Sequence, residues 1–449
     1  MLIKRVMCVF VASVIFLGAQ ENREAQEIVI SAQNFKQNIP FKLYTLKGEN
    51  EGPTLLVIGG IHGDEPGGYF APALLVDYYT IKKGNVLVVP NLNPHSIMAF
   101  ERGIYKDMNR KFAKIAKNDP DFENVERIKE IIKNPKVDFV INLHDGHGFY
   151  REKWENSIFN PKAWGQTYVI DQKTLDNVPF GNLDSIAKQM ETLLNQTLHY
   201  DFHTFGVRNT ETKFEDEEQQ NSLTFFAATH LKPALAIETS KNIKELPLKT
   251  LYQLSSIEAL MGIMGIEFVR NFELDLKNVK DKIDALGSVK INGNMTLPLN
   301  GIKNNLNFVP LLSDANRFVF THPIGGVKKV KDGFEIYIGH KKITHLKADI
   351  FPMQCKLESV QVELDGKQTI AKAGDTLEFS KDFLVGEQEG VRVNVIGYSK
   401  KGVVSEHNLK LSQNMMDKNY AIDKEGKIFR LELYAGKNFC GMLNMRVKE

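Results

Sequence analysis

The stretch Thr54-Leu55-Leu56-Val57-Ile58-Gly59-Gly60-Ile61-His62-Gly63-Asp64-Glu65 (TLLVIGGIHGDE) runs a short apolar strand straight into a glycine-rich turn carrying a histidine and two carboxylates. A run of apolar residues without polar alternation is what a strand buried on both faces looks like, and such strands belong to parallel sheets. Val86–Val89 (VLVV), Val137–Leu143 (VDFVINL) and Ala234–Ile237 (ALAI) have the same character. Between them Phe122–Ile132 and Leu183–Leu194 repeat apolar residues at helical spacing, and Ile257–Phe268 (IEALMGIMGIEF) is expected to be an apolar helix closing the unit. Residues 20–286 are therefore expected to form an α/β domain with a mixed, largely parallel sheet flanked by helices.

After Leu286 the texture changes. Val289–Ile291, Phe318–Phe320, Phe334–Ile338, Val360–Leu364 and Val391–Ile396 are short strands separated by Gly, Asn and Asp turns. Asp332-Gly333, Asp365-Gly366 and Lys400-Lys401-Gly402 are expected hairpin points. The length suits two small all-β modules, 287–350 and 351–449, with the break placed near Phe351-Pro352.

The chain start reads differently again. Lys4 and Arg5 precede the apolar run Val6–Leu17, broken only by Ser13, and small residues follow at Gly18-Ala19. This is the layout of a secretory signal peptide, residues 1–19, and the run is shorter than the ~18 residues a spanning helix needs. Leu17 is a mediocre residue for a cut after Ala19, so a retained anchor stays open. The expectation is an exported, periplasmic protein with no stable membrane span.

The 449 residues are 43% apolar and 25% charged, which excludes collagen-like, coiled-coil and wholly disordered chains. A net charge of only +2 gives no reason to expect nucleic acid. Residues 271–449 carry 27 basic and 22 acidic side chains, a weak bias toward anionic partners. Cys355 and Cys440 are the cysteines beyond the leader, and an oxidising compartment allows them to pair or to remain buried thiols.

His62 and Glu65 form H-x-x-E at the carboxyl end of a strand, where open α/β sheets bind ligands. Imidazole and carboxylate are both good zinc donors, and the glycines let the backbone turn sharply enough for them to converge. His144 follows the Val137–Leu143 strand and is the expected third ligand of a two-His, one-carboxylate site that keeps a position open for water. His147 is its rival, and is expected either to support a ligand from behind or to lie on the surface. Asp145 either orients a ligand or, as expected here, occupies a plain turn. Glu238, at the end of the Ala234–Ile237 strand, is placed to be a general base. Arg102 and the pair Asn109-Arg110 lie between the ligands, and guanidinium forks suit carboxylates and developing oxyanions.

Taken together, and in this order, these residues resemble the zinc carboxypeptidases of the M14 type over roughly residues 40–270. The resemblance implies one Zn²⁺ per chain on His62, Glu65 and His144, with Arg102 at the oxyanion. It further implies Asn109 and Arg110 on the substrate's terminal carboxylate and Glu238 as base. Co²⁺ or Ni²⁺ would also suit the ligands. The H-G-D-E spacing and all-β extension look closer still to the peptidoglycan D,L-carboxypeptidases that determine cell shape in curved and helical bacteria. That branch trims a muropeptide tripeptide to a dipeptide, releasing meso-diaminopimelate. It implies that residues 287–350 form a small β-barrel and 351–449 an immunoglobulin-like sandwich, with wall or shape-complex proteins as possible contacts of these modules. Some members have Gln where His62 stands; this chain has His. No equivalent of the substrate-binding Tyr of digestive members is evident, and Thr224 in the Asn221–Thr224 segment is the residue expected to offer a polar contact instead. Two other readings remain: an amidohydrolase of the aspartoacylase and succinylglutamate-desuccinylase kind, and a non-catalytic wall-binding scaffold.

Overall fold

An eight-stranded sheet carries the first part of the chain. In the computed structural model, residues 25–31, 39–215 and 217–448 are described, so the expected signal peptide lies outside the described residues. In chain order the elements are β1 (Gln26–Ser31), β2 (Tyr44–Lys47), β3 (Asn50–Ile58), α1 (Pro66–Tyr78), β4 (Tyr79–Val89), α2 (Pro94–Ala99), α3 (Phe122–Lys133) and β5 (Phe139–Gly146). The short strands β6 (Phe149–Tyr150) and β7 (Phe159–Asn160) follow, then β8 (Thr167–Ile170), α4 (Leu183–Asn195) and β9 (Gly206–Asn209). The unit ends with α5 (Thr212–Glu215), α6 (Leu223–Thr229), β10 (Ala234–Ser240), α7 (Leu246–Met264), β11 (Glu267–Arg270) and α8 (Leu276–Asp284).

The sheet order is β11-β4-β3-β5-β10-β8-β9, with β2 beside β4. Its centre, β4-β3-β5-β10, is all parallel, while β2, β11 and β8 join antiparallel. The four apolar runs of the sequence are these four central strands. One face is covered by α1, α4 and α7 and packs Leu55, Val57, Phe139, Ile141, Leu143, Leu235 and Ile237. The other packs Leu56, Ile58, Val140 and Ala234 against α3 and α6.

Two elements depart from expectation. The helix expected over Ile257–Phe268 is α7, which starts at Leu246 and stops at Met264. Gly265 ends it in the left-handed region (φ 76), and Phe268 belongs to β11. An all-apolar run does not distinguish a helix end from an edge strand, whereas a glycine free to take positive φ does. α1 had no periodicity to reveal it, because Pro66 through Val76 are buried on every side. It lies so close to β5 that a Cβ on Gly68 would sit 2.6 Å from the Leu143 carbonyl oxygen.

Beyond α8 the structure is all β. Two four-stranded sheets occupy the region to Phe351, and their core is continuous with that of the α/β unit. One of these sheets takes in β1, which alternates inward Ile28 and Ile30 and pairs antiparallel with Ala315–Phe320. Two further four-stranded sheets, formed from Val360 onward, enclose a separate core of Val362, Phe379, Phe383, Leu431 and Leu443 as an immunoglobulin-like sandwich. Asp332-Gly333 and Asp365-Gly366 do turn hairpins, whereas Lys400-Lys401-Gly402 sits in the long connection after Val391–Val395.

Cys355 and Cys440 are joined in a disulfide that closes 85 residues of chain. It fastens the connection between the two β modules to the last strand, where Cys355 N–H also donates to the Phe439 carbonyl. Replacing both cysteines by serine is expected to destabilise the sandwich by about 2–4 kcal/mol. Denaturant unfolding of the two forms checks this.

Candidate active site

β3 ends at Ile58 and hands the chain to the His62–Glu65 turn at the carboxyl edge of the sheet. Gly63 is needed there, because a Cβ at that position would lie 1.9 Å from the Ser96 carbonyl oxygen. Its N–H is held by the Glu101 carbonyl at 3.0 Å, so the turn is fixed against α2 and the Arg102 segment. His144 and Glu238 sit opposite each other on β5 and β10, in register, on the same face as Val140 and Ala234 and two steps beyond them. β5 continues through Gly146, so His144 projects from within the strand rather than after it.

Three buried donors converge. His62 Nδ1 is 3.0 Å from Glu65 Oε1, His144 Nδ1 is 2.8 Å from Glu65 Oε2, and the two imidazole nitrogens are 3.2 Å apart. Ligands about 2.0–2.1 Å from one tetrahedral ion stand roughly 3.3 Å from each other, so this spacing fits a shared metal. His62 Nε2 is 2.8 Å from Asp107 Oδ1, a contact that favours the proton on Nε2 and leaves Nδ1 free to serve as a ligand.

The electrostatics pull the two imidazoles in opposite directions. Burial acts to lower the His62 pKa, but Glu65 and Asp107 outweigh it and raise it. For Glu65, burial is opposed by His62 and His144, which hold its carboxyl well below the usual range. Burial lowers His144, which favours the neutral ring a metal requires. Glu238 is pushed well up, first by burial and then by Glu65 and Asp145. A bound dication acts on it in the opposite direction.

A cavity of about 370 Å³ opens over these groups and is also lined by Arg102, Asn109, Arg110, Thr224 and Lys241. Every residue singled out in the sequence for metal, base or substrate thus faces one space. Arg102 contacts Asp107 and, at 3.2 Å, Glu65. Asn109 accepts from Leu223 N–H at 2.9 Å, which leaves its amide N–H groups for the cavity. Arg110 reaches Glu218 at 3.0 Å, and His147 is exposed at the rim.

Asp145 is not in a plain turn. It lies inside β5, buried, accepting from Gly67 N–H at the start of α1, from Thr239 Oγ1 and from Lys249 Nζ. Its own N–H donates to Glu65 Oε2, so it fixes the angle at which the metal turn leaves the sheet. Asp107 and Lys241 were not identified in the sequence either. Lys241 pairs with Asp64 at 2.6 Å and approaches Glu65, and neither contact has a sequence signal because the partners are about 177 residues apart.

The chain was next compared with known proteins. A family model described as the catalytic part of the carboxypeptidase controlling helical cell shape matches residues 28–284. The chain belongs to this carboxypeptidase family. A second model, the C-terminal domain of metallo-carboxypeptidase, matches residues 353–448. Apo cell shape determinant protein Csd4 from Helicobacter pylori superposes with a TM-score of 0.86 at 32% identity, over 91% of this chain and 100% of that one. Its mDAP-bound form, described as a D,L-carboxypeptidase, gives 0.85 at 32% identity over 90% and 100%. A curated relative, the N-alpha-acetyl-L-2,4-diaminobutyric acid deacetylase of Halomonas elongata, is 34% identical over 153 residues, 29% of this chain and 44% of the relative's length. The chain is thus a metallocarboxypeptidase, and the scaffold reading falls away for its catalytic part.

Asp107 gives a test of the site. Asp107→Asn keeps the shape but removes the carboxylate that polarises His62, and is expected to weaken metal affinity about 10- to 100-fold. Competition against a chromogenic chelator measures it.

Proposed function

We propose that this enzyme is a zinc D,L-carboxypeptidase of peptidoglycan, removing the C-terminal meso-diaminopimelate from muropeptide tripeptides and so influencing cell shape. The observation that carries this reading is the convergence of His62, Glu65 and His144 with Glu238 and the Asn109-Arg110 pair in one cavity. The tripeptide-bound and mDAP-bound forms of the 32%-identical Csd4 support the substrate class.

Asn109 and Arg110 grip the free carboxylate, which confines cleavage to the chain terminus. Arg102 faces the carbonyl oxygen as charge develops on it. His62, Glu65 and His144 would hold the zinc, which would supply a Lewis acid and lower the pKa of water there. Glu238 takes the proton from the attacking water and delivers it to the leaving amine, so one carboxyl serves as base and then acid. Thr224, on the first turn of α6, offers its hydroxyl to the substrate backbone.

Residues 1–19 act in this reading as a signal peptide that delivers the enzyme to the periplasm. Among the described residues no helix is long and apolar enough to cross a membrane. The catalytic domain spans residues 20–286, and the modules 287–350 and 351–449 are assigned contacts with the wall or with shape-complex proteins.

Incubating metal-loaded protein with purified muramyl tripeptide and following the products by mass spectrometry tests the proposal. Release of one diaminopimelate is the expected result. An unchanged tripeptide, with cleavage of an N-acyl amino acid instead, would move the assignment to the amidohydrolase reading.

A further inference from the structure

The turn between strands Gly333–Ile338 and Lys341–Phe351 of the first β module lies against α1 of the α/β unit. Gly339, in the left-handed region (φ 56), comes so close that a Cβ there would be 3.0 Å from Tyr69 Cε2 and 3.2 Å from Phe70 Cε2. His340 follows it. Its Nδ1 is 2.7 Å from Tyr69 Oη, and the same hydroxyl stands 3.4 Å from the carbonyl oxygen of Gly63, between His62 and Glu65. The imidazole also packs on Phe100, with ring centres 4.6 Å apart, directly before Glu101-Arg102.

Packing alone does not account for a histidine here. The rings of Tyr69, Phe70 and Phe100 surround it, a setting that a leucine would fill without burying a polar group. Burial, and then Lys341 and Lys249, push its pKa down to about 4, so the ring is neutral and offers one N–H and one lone pair. With the proton on Nδ1 it donates to Tyr69 Oη, which leaves the hydroxyl proton for the Gly63 carbonyl. Phe100 supplies an independent observation. It caps α2 at φ 55, a conformation that a bulky residue adopts only where its neighbours hold it. His340 is such a neighbour, from outside the α/β unit. Beyond Phe100 come Glu101, whose carbonyl accepts from Gly63 N–H at 3.0 Å, and Arg102, which reaches Glu65 at 3.2 Å. Both polar ends of Gly63 therefore trace back to His340.

We propose that His340 is a positioning residue for the metal centre, bracing the Gly63 carbonyl through Tyr69 and the Gly63 N–H through Phe100 and Glu101. It thereby holds His62 and Glu65 at ligand spacing with Arg102 beside them. The first β module is then part of the catalytic apparatus, whatever it contacts in the wall. The inference rests on the metal-centre reading of His62, Glu65 and His144, and not on which peptide is cleaved.

The test uses the full chain with His340→Leu, His340→Asn, Tyr69→Phe and the double variant Tyr69→Phe/His340→Leu. Ile336→Val, a truncation in the buried core of the same sheet, serves as the stability control. Zinc affinity is read by competition with a chelator, kcat and KM on muramyl tripeptide, and Tm on the metal-free proteins. His340→Leu should lose about tenfold in zinc affinity and in kcat, the low end for a group acting on a ligand from behind. The double variant should lose less than the product of the two single losses, because one chain of contacts is cut twice. His340→Asn, which keeps an N–H near the Nδ1 position, should recover part of the zinc affinity, and Ile336→Val should lower Tm alone. A His340→Leu protein with lowered Tm but unchanged zinc affinity and kcat, or Tyr69 and His340 losses that simply multiply, would overturn the proposal. A wild type that leaves the tripeptide intact, yet binds zinc about tenfold more tightly than His340→Leu, would instead overturn the peptide assignment and leave this one standing.

Discussion

Replacing Glu238 by glutamine should lower kcat by at least about 10³-fold while leaving the fold and the bound metal in place. General acid–base catalysis by a positioned side chain contributes about 10²- to 10⁴-fold, and Glu238 performs both proton transfers in the proposed cycle. Glutamine has nearly the same shape and can accept a hydrogen bond, but cannot take a proton. The side chain lies outside the donor triad, so metal content should match wild type within error. Loss of a carboxyl crowded by burial and by Glu65 and Asp145 should also leave the variant at least as stable as its parent. The KM effect should be small if Asn109 and Arg110 hold the substrate in both forms. Steady-state kinetics with metal analysis on the same sample decides it. A fall of less than tenfold would show that another group carries the proton.

The second large effect concerns the metal. Stripping it with a chelator should abolish activity and lower thermal stability, and restoring Zn²⁺ should recover both. At a free metal concentration 1,000 times Kd, binding stabilises the native state by about 4.1 kcal/mol. For a unit of this size that shifts Tm by roughly 2–4 °C per kcal/mol. The shift should vanish in His144→Ala, because two remaining ligands do not hold the ion against water and His144 sits at the centre of the contacts with Glu65 and His62. His144→Ala should also lose catalysis to the level of the stripped enzyme. A Tm unaffected by zinc in wild type would argue against this site. The experiment separates metal from base, since Glu238→Gln keeps the zinc-dependent shift and His144→Ala does not.

Much of the site was legible because His62, Glu65, His144 and Glu238 each follow an apolar run. TLLVI, VDFVINL and ALAI announce buried parallel strands by composition alone, and the groups that leave their carboxyl ends must meet where the strands lie side by side. His62, Glu65, His144 and Glu238 could therefore be named from local sequence. Arg102, Asn109 and Arg110 needed the resemblance to a known family, since an arginine in a connection carries no signal of its own. Asp107 escaped, and Asp145 was assigned to a plain turn, for a different reason. A carboxylate in a loop or at a strand end looks the same whether it meets water or a ring nitrogen. Asp107 is decided by a 2.8 Å contact with His62, 45 residues away, and Asp145 by a lysine 104 residues away.

By itself, then, the sequence determined the central strands, the residues that stand at their carboxyl ends and the change to an all-β architecture near Leu286, because these depend on period, composition and short spacing. The tertiary structure alone decided what long-range packing sets. β1 leaves its neighbours in the chain to complete a later sheet, α7 stops at Gly265, and Cys355 pairs with Cys440 rather than staying reduced. It also decided the state of Asn142. In the sequence that residue is one polar letter in an apolar strand; only the arrangement of β3, β5, β8 and β10 around it leaves its amide without a partner among the described residues.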